Sequence, residues 1–305
     1  MDMGFLNFFT RKNKGVINVY ISLSPEDKGG GANSFAHNFV CWLKARPGRY
    51  IATGDIARAD KAVVIADKAD MARLEKAKKA GVFIIHRLDE YFEEGESEFR
   101  KAKHKKIMDI NKFSDITVYQ SQFVCDNVQP YLQAKRFEVI INGADPKLFY
   151  PSGDVGQYIG HVSWSADERK RYDLLCELIR AYPNEKFLLV GNHAKTKYSF
   201  ERFPNATLIG SVTRNDMIRY YHKMTVLYLP SENDPCPNTA VEAVMAGVPV
   251  CYNPNAGTKE IVKDCGLPLD NFEELLKNFM AIRQKCLMRK DLYFDVVAER
   301  YMAMR

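Results

Sequence analysis

Short apolar runs rich in β-branched residues alternate along this chain with segments of helical spacing, and that alternation leaves few folds open. Residues 16–24 read VINVYISLS and stop at Pro25, residues 62–66 read AVVIA, and residues 82–85 lead into His86-Arg87-Leu88-Asp89. Between the first two, Phe35, Phe39 and Trp42 recur at spacings of four and three, one face of a helix over 32–43. Residues 71–80 form a second helical stretch, closed by Gly81 as a C-terminal cap would close it. Further strands are expected at 116–119 and 138–141. A strand with one wet face alternates apolar and polar residues. These do not alternate, so each must be covered on both sides, which implies a parallel sheet between layers of helices.

The pattern then restarts. The strongest cluster of chain breakers is Asn142-Gly143-Ala144-Asp145-Pro146 followed by Pro151-Ser152-Gly153-Asp154. Beyond it, strands are expected at 158–163, 187–190, 207–209, 226–229 and 248–252. Helices are expected at 171–181, 215–222, 239–246 and 259–263, with a mainly helical end after 271. A length of 305 residues suits two domains. The expected division is α/β throughout: a doubly wound domain over 1–150, a second over 151–285, and a helix from about 286 that returns to the first domain. Ligands of such sheets bind at the C-terminal ends of the strands, so function is expected in the cleft between the domains.

Composition removes other classes. With 46% hydrophobic and 27% charged residues, the chain is an ordinary globular one that can bury a core. Seven cysteines stand singly, with no C-x-x-C, which reads as reduced thiols in a cytoplasmic protein. The apolar stretch at residues 3–9 is followed, not preceded, by Arg11, Lys12 and Lys14, so it does not read as a secretory signal, and no run approaches the ~20 residues of a membrane span. The net charge of +6 is too small to argue for nucleic acid, but it is unevenly placed: residues 1–150 hold 24 basic and 19 acidic side chains, and residues 151–305 hold 20 and 19. The run Arg100-Lys101-Ala102-Lys103-His104-Lys105-Lys106 reads by default as a solvated helix face. Its other reading is attraction to an anionic acceptor, or peripheral association with the inner face of a membrane.

The most informative segment is residues 230–250, PSENDPCPNTAVEAVMAGVPV. It reads as a strand end, a polar loop and a helix from about Thr239, which puts unpaired N–H groups and the positive helix end at the mouth of the cleft, a setting for phosphate. Pro235 and Pro237 carry no N–H, so donors must come from Cys236, Asn238 and the first helical turn. Asp234 and Glu242, eight residues apart, can face one ligand, and carboxylates suit the hydroxyls of a sugar or ribose. The alternative is structural: Thr239-Ala-Val-Glu242 also fits a capping box, in which Glu242 only bonds back to the Thr239 N–H.

This segment resembles the acidic-x7-acidic motif of glycosyltransferase family 4, of GT-B fold, in an Asp-Pro-Cys-Pro-Asn form. Other stretches agree with that family in order: Gly29 to Asn33, His86 to Asp89, Ser121-Gln122-Phe123, Ile141 to Asp145, Val162 to Ser165, and Val190-Gly191-Asn192. The resemblance spans roughly residues 16–262. It implies two Rossmann-like domains facing a cleft and a retaining transfer of a hexose from a UDP- or GDP-sugar to a sugar-containing acceptor, with the nucleotide sugar as substrate and no cofactor. By the same carry-over Glu242 binds the ribose, Asp234 the donor sugar, and the backbone of Cys236, Asn238 and Thr239 the diphosphate or sugar. Gly30, Gly31, Gly191 and Asn192 complete the donor side. The basic pair at the diphosphate maps unevenly. Lys170 stands where the family has Lys, Ser165 where it has Arg, and Arg171 where it has Gly, so Arg169 or Arg171 is expected to substitute.

A lone His at the end of an apolar strand is more often a hydrogen-bonded structural residue than a catalyst. The resemblance makes His86 the catalytic candidate of the N-terminal domain, with Arg87, Asp89 and Asn33 on the acceptor side. No Asp-x-Asp and no cluster with metal-ligand spacing occurs, so transfer without a metal is expected. Three other readings stay open at this level: a catalytically silent sugar-nucleotide or glycan-binding module, a GT-B epimerase, and, more distantly, a dehydrogenase. The last is disfavoured because the glycine run is not G-x-G-x-x-G.

Overall fold

The computed structural model describes residues 15–24, 30–93, 95 and 97–305. The apolar opening stretch, Pro25 to Gly29, Glu94 and Glu96 lie outside the described residues. In the N-terminal half, six strands form one sheet: β1 (Ile17–Ile21), β2 (Tyr50–Thr53), β3 (Lys61–Ile65), β4 (Phe83–Leu88), β5 (Ile116–Tyr119) and β6 (Phe137–Val139), in the order β2-β1-β3-β4-β5-β6. Helices α1 (Gly31–Lys44), α2 (Met71–Lys79), α3 (Glu98–Asn111) and α4 (Gln122–Leu132) connect them. The C-terminal half repeats the plan with β7 (Tyr158–Ser163), β8 (Phe187–Gly191), β9 (Ala206–Ile209), β10 (Met224–Leu229), β11 (Val250–Tyr252) and β12 (Gly266–Pro268), ordered β12-β11-β10-β7-β8-β9. Its helices are α5 (Tyr172–Ala181), α6 (Met217–Tyr221), α7 (Asn238–Met245), α8 (Thr258–Val262) and α9 (Phe272–Cys286), and α10 (Phe294–Ala303) ends the chain. All pairings within both sheets are parallel.

The strand sequences explain this layering. In β3, Val63 and Ile65 enter the core shared with α1, while Ala62 and Val64, on the opposite face, pack with Leu74 and Ala77 of α2. In β10, Leu227 and Leu229 face one core of the C-terminal half, and Val226 and Tyr228 face the other. A strand covered on both faces admits a polar residue only where a partner inside the fold satisfies it.

The chain passes between the halves twice, and the two passages are bonded to each other. Ala144 N–H donates to Leu292 O at 3.0 Å, and Phe294 N–H donates to Ala144 O at 2.9 Å. A Cβ on Gly143 would lie 2.8 Å from Leu292 O, so this contact requires glycine. Residues 287–293 remain with the C-terminal half, where Leu292 is buried in the core and Arg289 donates to Ile261 O at 2.6 Å. The last helix therefore starts at Phe294 rather than near 286. It sets Phe294 and Tyr301 against Phe35 and Phe39 of α1, within the N-terminal core.

Candidate functional site

In each sheet the strand order reverses beside the first strand of the unit, which opens a crevice at the C-terminal strand ends. The two crevices face one another and enclose a cavity of about 870 Å³. Gly30, Gly31 and Asn33, at the start of α1, and Asp89, just after β4, line it from the N-terminal half. Ser165, Lys170, Asn192, Asp234, Cys236, Asn238, Thr239 and Glu242 line it from the other.

Two helices begin at this cavity without side-chain caps and without acidic residues in their first turns: α1, after Gly30 at φ 115°, and α7, after Pro237. Their first N–H groups and the positive ends of their dipoles are therefore left for a ligand. Asn238 Nδ2 reaches Gly31 O at 3.5 Å, so the two starts meet. The cation expected from the resemblance lines the same cavity: Lys170 Nζ donates to Asp234 Oδ2 at 2.7 Å. Burial pulls the Lys170 pKa down, but the Asp234 carboxylate more than offsets this and the pKa is raised.

Glu242 is not a cap. Helix α7 starts at Asn238, one residue before Thr239, and the Glu242 carboxylate accepts from Tyr221 Oη at 2.9 Å. Only 8% exposed, it is pushed up to about 7 by burial, against the opposing pull of Arg214 and the Tyr221 hydrogen bond.

Cys236 is buried, its thiol pushed up to about 12 by desolvation, and its sulfur accepts from the Asn142 N–H at 3.3 Å. The Asn142 side chain also reaches Asn238 Oδ1 at 2.9 Å and accepts from Arg87 Nη2 at 3.0 Å. A neutral thiol and a bridging amide thus fix the 236–238 loop against the N-terminal half.

Four sequence expectations change here. His86 does not open on the cleft: it lies inside β4, wholly buried, donating from Nε2 to Ala66 O at 2.9 Å and accepting at Nδ1 from Asn111 Nδ2 at 2.9 Å. Burial lowers its pKa to about 4, so it stays neutral, with both ring nitrogens engaged by the fold and neither facing the cavity. Replacing His86 with Ala is expected to cost about 2–4 kcal/mol, from a cavity and two unpartnered polar groups. A lower urea midpoint with unchanged kcat per folded molecule would show this, and a selective loss of kcat would restore the catalytic assignment.

Arg87 is also fully buried, stacked over the Phe35 ring at 4.0 Å. Rather than meeting an acceptor, it donates to Asp89 Oδ2 at 3.2 Å and holds that carboxylate at the cavity wall. Arg169 and Arg171 turn away from the cavity into a separate groove. Arg169 pairs with Asp167 at 2.9 Å, and Arg171 pairs with Asp173 at 2.8 Å and Glu232 at 2.9 Å. Arg171 adopts φ 51° at the entry to α5, a left-handed position that glycine fills most easily. Of this basic trio, Lys170 alone lines the cavity. Gly191, at φ 112°, lies behind the wall, where a Cβ would sit 2.1 Å from Ser163 O. That close approach places Asn192, whose Nδ2 donates to Trp164 O at 2.6 Å, on the cavity surface.

Sequence reasoning missed Tyr221, Asn142 and Arg214, which support or line the site, and Glu260. The Glu260 carboxylate on α8 accepts from Gln122 N–H at 2.6 Å and Phe123 N–H at 2.8 Å, capping α4 from the other half. No local pattern marks these residues, because their partners are distant in sequence.

Two parallel-sheet domains with a ligand cavity between their strand ends constitute the GT-B architecture. The family described as Glycosyl transferases group 1 matches residues 156–292. HepE of Anabaena, solved in complex with UDP-glucose, superposes with a TM-score of 0.70 at 13% identity, over 94% of this chain and 98% of that one. Sucrose-phosphate synthase from Thermosynechococcus elongatus superposes with a TM-score of 0.69 at 14% identity, over 93% and 97%. These likenesses concern the fold. In sequence, the chain is 26% identical over 151 residues to the Vi polysaccharide biosynthesis protein VipC/TviE of Salmonella typhi, covering 42% of this chain and 26% of that protein. It is 31% identical over 115 residues to an uncharacterized 41.2 kDa protein in the cps region of Klebsiella pneumoniae, covering 36% and 32%. The chain thus spans about a quarter to a third of the curated relatives it matches.

Proposed function

We propose that this protein transfers a hexose, with retention, from a UDP- or GDP-sugar to a hydroxyl of a sugar-containing acceptor in glycan biosynthesis. The observation that carries the reading is the Lys170–Asp234 pair lining the same interdomain cavity as two uncapped helix starts. The diphosphate lies between the starts of α1 and α7, where the N–H dipoles and Lys170 offset the charge that grows as the phosphate leaves. These groups stand in for a metal ion. Glu242 accepts from the ribose hydroxyls, and Asp234 accepts from the donor sugar. Asp89 and Asn33 face the acceptor. The bond from the sugar's anomeric carbon to the phosphate oxygen breaks, a bond to the acceptor oxygen forms on the same face, and the acceptor proton passes to the departing phosphate. No protein base is required.

The HepE complex with UDP-glucose and the polysaccharide-biosynthesis relative support this choice of donor class and product. The surplus charge of the N-terminal half suits an anionic acceptor or membrane surface. Among the described residues, no helix is long and apolar enough to cross a membrane. Calorimetric titration with UDP-, GDP- and ADP-sugars tests the proposal. One nucleotide series should bind in the micromolar range and be turned over with an acceptor glycan. Failure of all three to bind would end the reading.

A further inference from the structure

Arg214 lies between β9 and α6, in the C-terminal half, and its guanidinium reaches across the cleft. Nη2 donates to Asn38 Oδ1 at 2.8 Å and Nη1 to Ser34 O at 3.4 Å, both acceptors being on α1 of the N-terminal half. Its Nε is buried without a partner. The same side chain lines the cavity and acts electrostatically on Glu242. Asn38 is 8% exposed, on a helix whose neighbouring buried positions are the apolar Phe35, Ala36 and Phe39, so a polar side chain there is held by its cross-cleft bond. A planar fork with several fixed donors holds a carbonyl and an amide in one set geometry, whereas a lysine offers a single rotatable ammonium on a flexible stem.

We propose that Arg214 is a positioning residue that straps α1 to the C-terminal half across the cavity, so that the glycine-led start of α1 and the Lys170–α7 side close on one diphosphate. The strap stands on geometry, whereas its consequence for the donor rests on the function proposed above. The start of α1 belongs to one half and Lys170 to the other, so their separation depends on how the halves sit. Close to the donor end, Arg214 joins the Asn238–Gly31 contact in holding it.

The test compares Arg214→Gln and Arg214→Lys with the unaltered protein, and with Arg171→Gln as a control whose ion pairs lie outside the cavity. Without nucleotide, hydrogen exchange of the amides at residues 34–40 should be several-fold faster in Arg214→Gln and unchanged in Arg171→Gln. With a nucleotide sugar, whose diphosphate does not itself titrate near neutrality, Arg214→Gln should raise KM about tenfold and leave kcat within about threefold. Arg214→Lys should not restore the exchange protection, because its single flexible ammonium lacks the fork. Unchanged exchange in α1 refutes the strap. If the unaltered protein binds no nucleotide sugar, the donor reading fails, and exchange alone decides the strap. Should the Gln variant not fold, the Lys variant supplies the same exchange comparison.

Discussion

Replacing Glu242 with Gln should give a protein that is more stable at pH 8 than the unaltered one and that no longer holds its donor. Burial raises this carboxyl from 4.5 to about 7 in the folded chain. A group whose folded pKa lies above its unfolded value contributes fully below the unfolded pKa, and the contribution is lost as pH rises through the folded one. Near pH 4.5 and below, both states are largely protonated and Glu242 costs little. Above pH 7 the folded protein must ionise a buried carboxyl whose desolvation outweighs the pull of Arg214 and the Tyr221 hydrogen bond. At 1.36 kcal/mol per unit, the ionised form costs on the order of 3 kcal/mol at pH 8 and under ~1 kcal/mol at pH 5. Gln keeps the hydrogen bond from Tyr221 without the charge. Its apparent Tm should exceed the original by several degrees at pH 8, and the two should converge near pH 5. Nucleotide-sugar affinity should meanwhile fall roughly a hundredfold, because a neutral amide replaces charge-assisted bonds to ribose hydroxyls. Thermal scans at the two pH values, with calorimetry beside them, check both halves. A Gln variant no more stable at pH 8 would show that Glu242 is not held against its own solvation. One that binds normally would remove it from the donor site.

Lys170→Ala should lower kcat about 10²- to 10³-fold while the fold persists. A preorganised donor aimed at charge that develops in the transition state is worth roughly that much. The loss should fall more on kcat than on KM, because the leaving phosphate gains charge only as its bond to the sugar breaks. A second consequence follows from the 2.7 Å contact with Asp234. Alanine leaves that carboxylate, whose side chain is 14% exposed, without its cation, so Lys170→Ala should lose more turnover than Lys170→Arg. Steady-state kinetics with the donor identified by calorimetry would show this. Equal kcat in the Ala variant would mean that the helix starts alone handle the diphosphate.

Much of the fold is legible in the strings of apolar residues. β3, β4 and β5 announce themselves because both faces of each strand are covered, so most positions are apolar and the buried polar ones, His86, Arg87 and Thr117, must find partners inside. Two strands escape that logic. Both β2 and β12 are sheet edges, and their sequences, YIAT and GLP, are short and ordinary. They become strands because a neighbour offers a free edge. For β12 the approach is so close that a Cβ on Gly266 would sit 1.9 Å from Val250 O.

For the site, the division follows the range of each interaction. The glycine-led start of α1, the loop into α7, and Asp234 with Glu242 are visible in sequence, because helix starts and a fixed spacing along one segment are local facts. His86, Arg169 and Arg171 occupy suggestive places in the string, yet which way each side chain turns depends on neighbours that the string does not reveal. Asn111 and the Ala66 carbonyl claim both nitrogens of His86, while Asp167, Asp173 and Glu232 draw the two arginines into the outer groove. Arg214 is the converse case, an unremarked cation whose partners lie 176 and 180 residues away. Sequence by itself determined two parallel sheets, a cleft and a loop leading into a helix start at that cleft, since apolar coverage and helix starts are properties of short segments. Tertiary structure decided which charges enter that cleft, because a long charged side chain settles on whichever partner the folded backbone brings near.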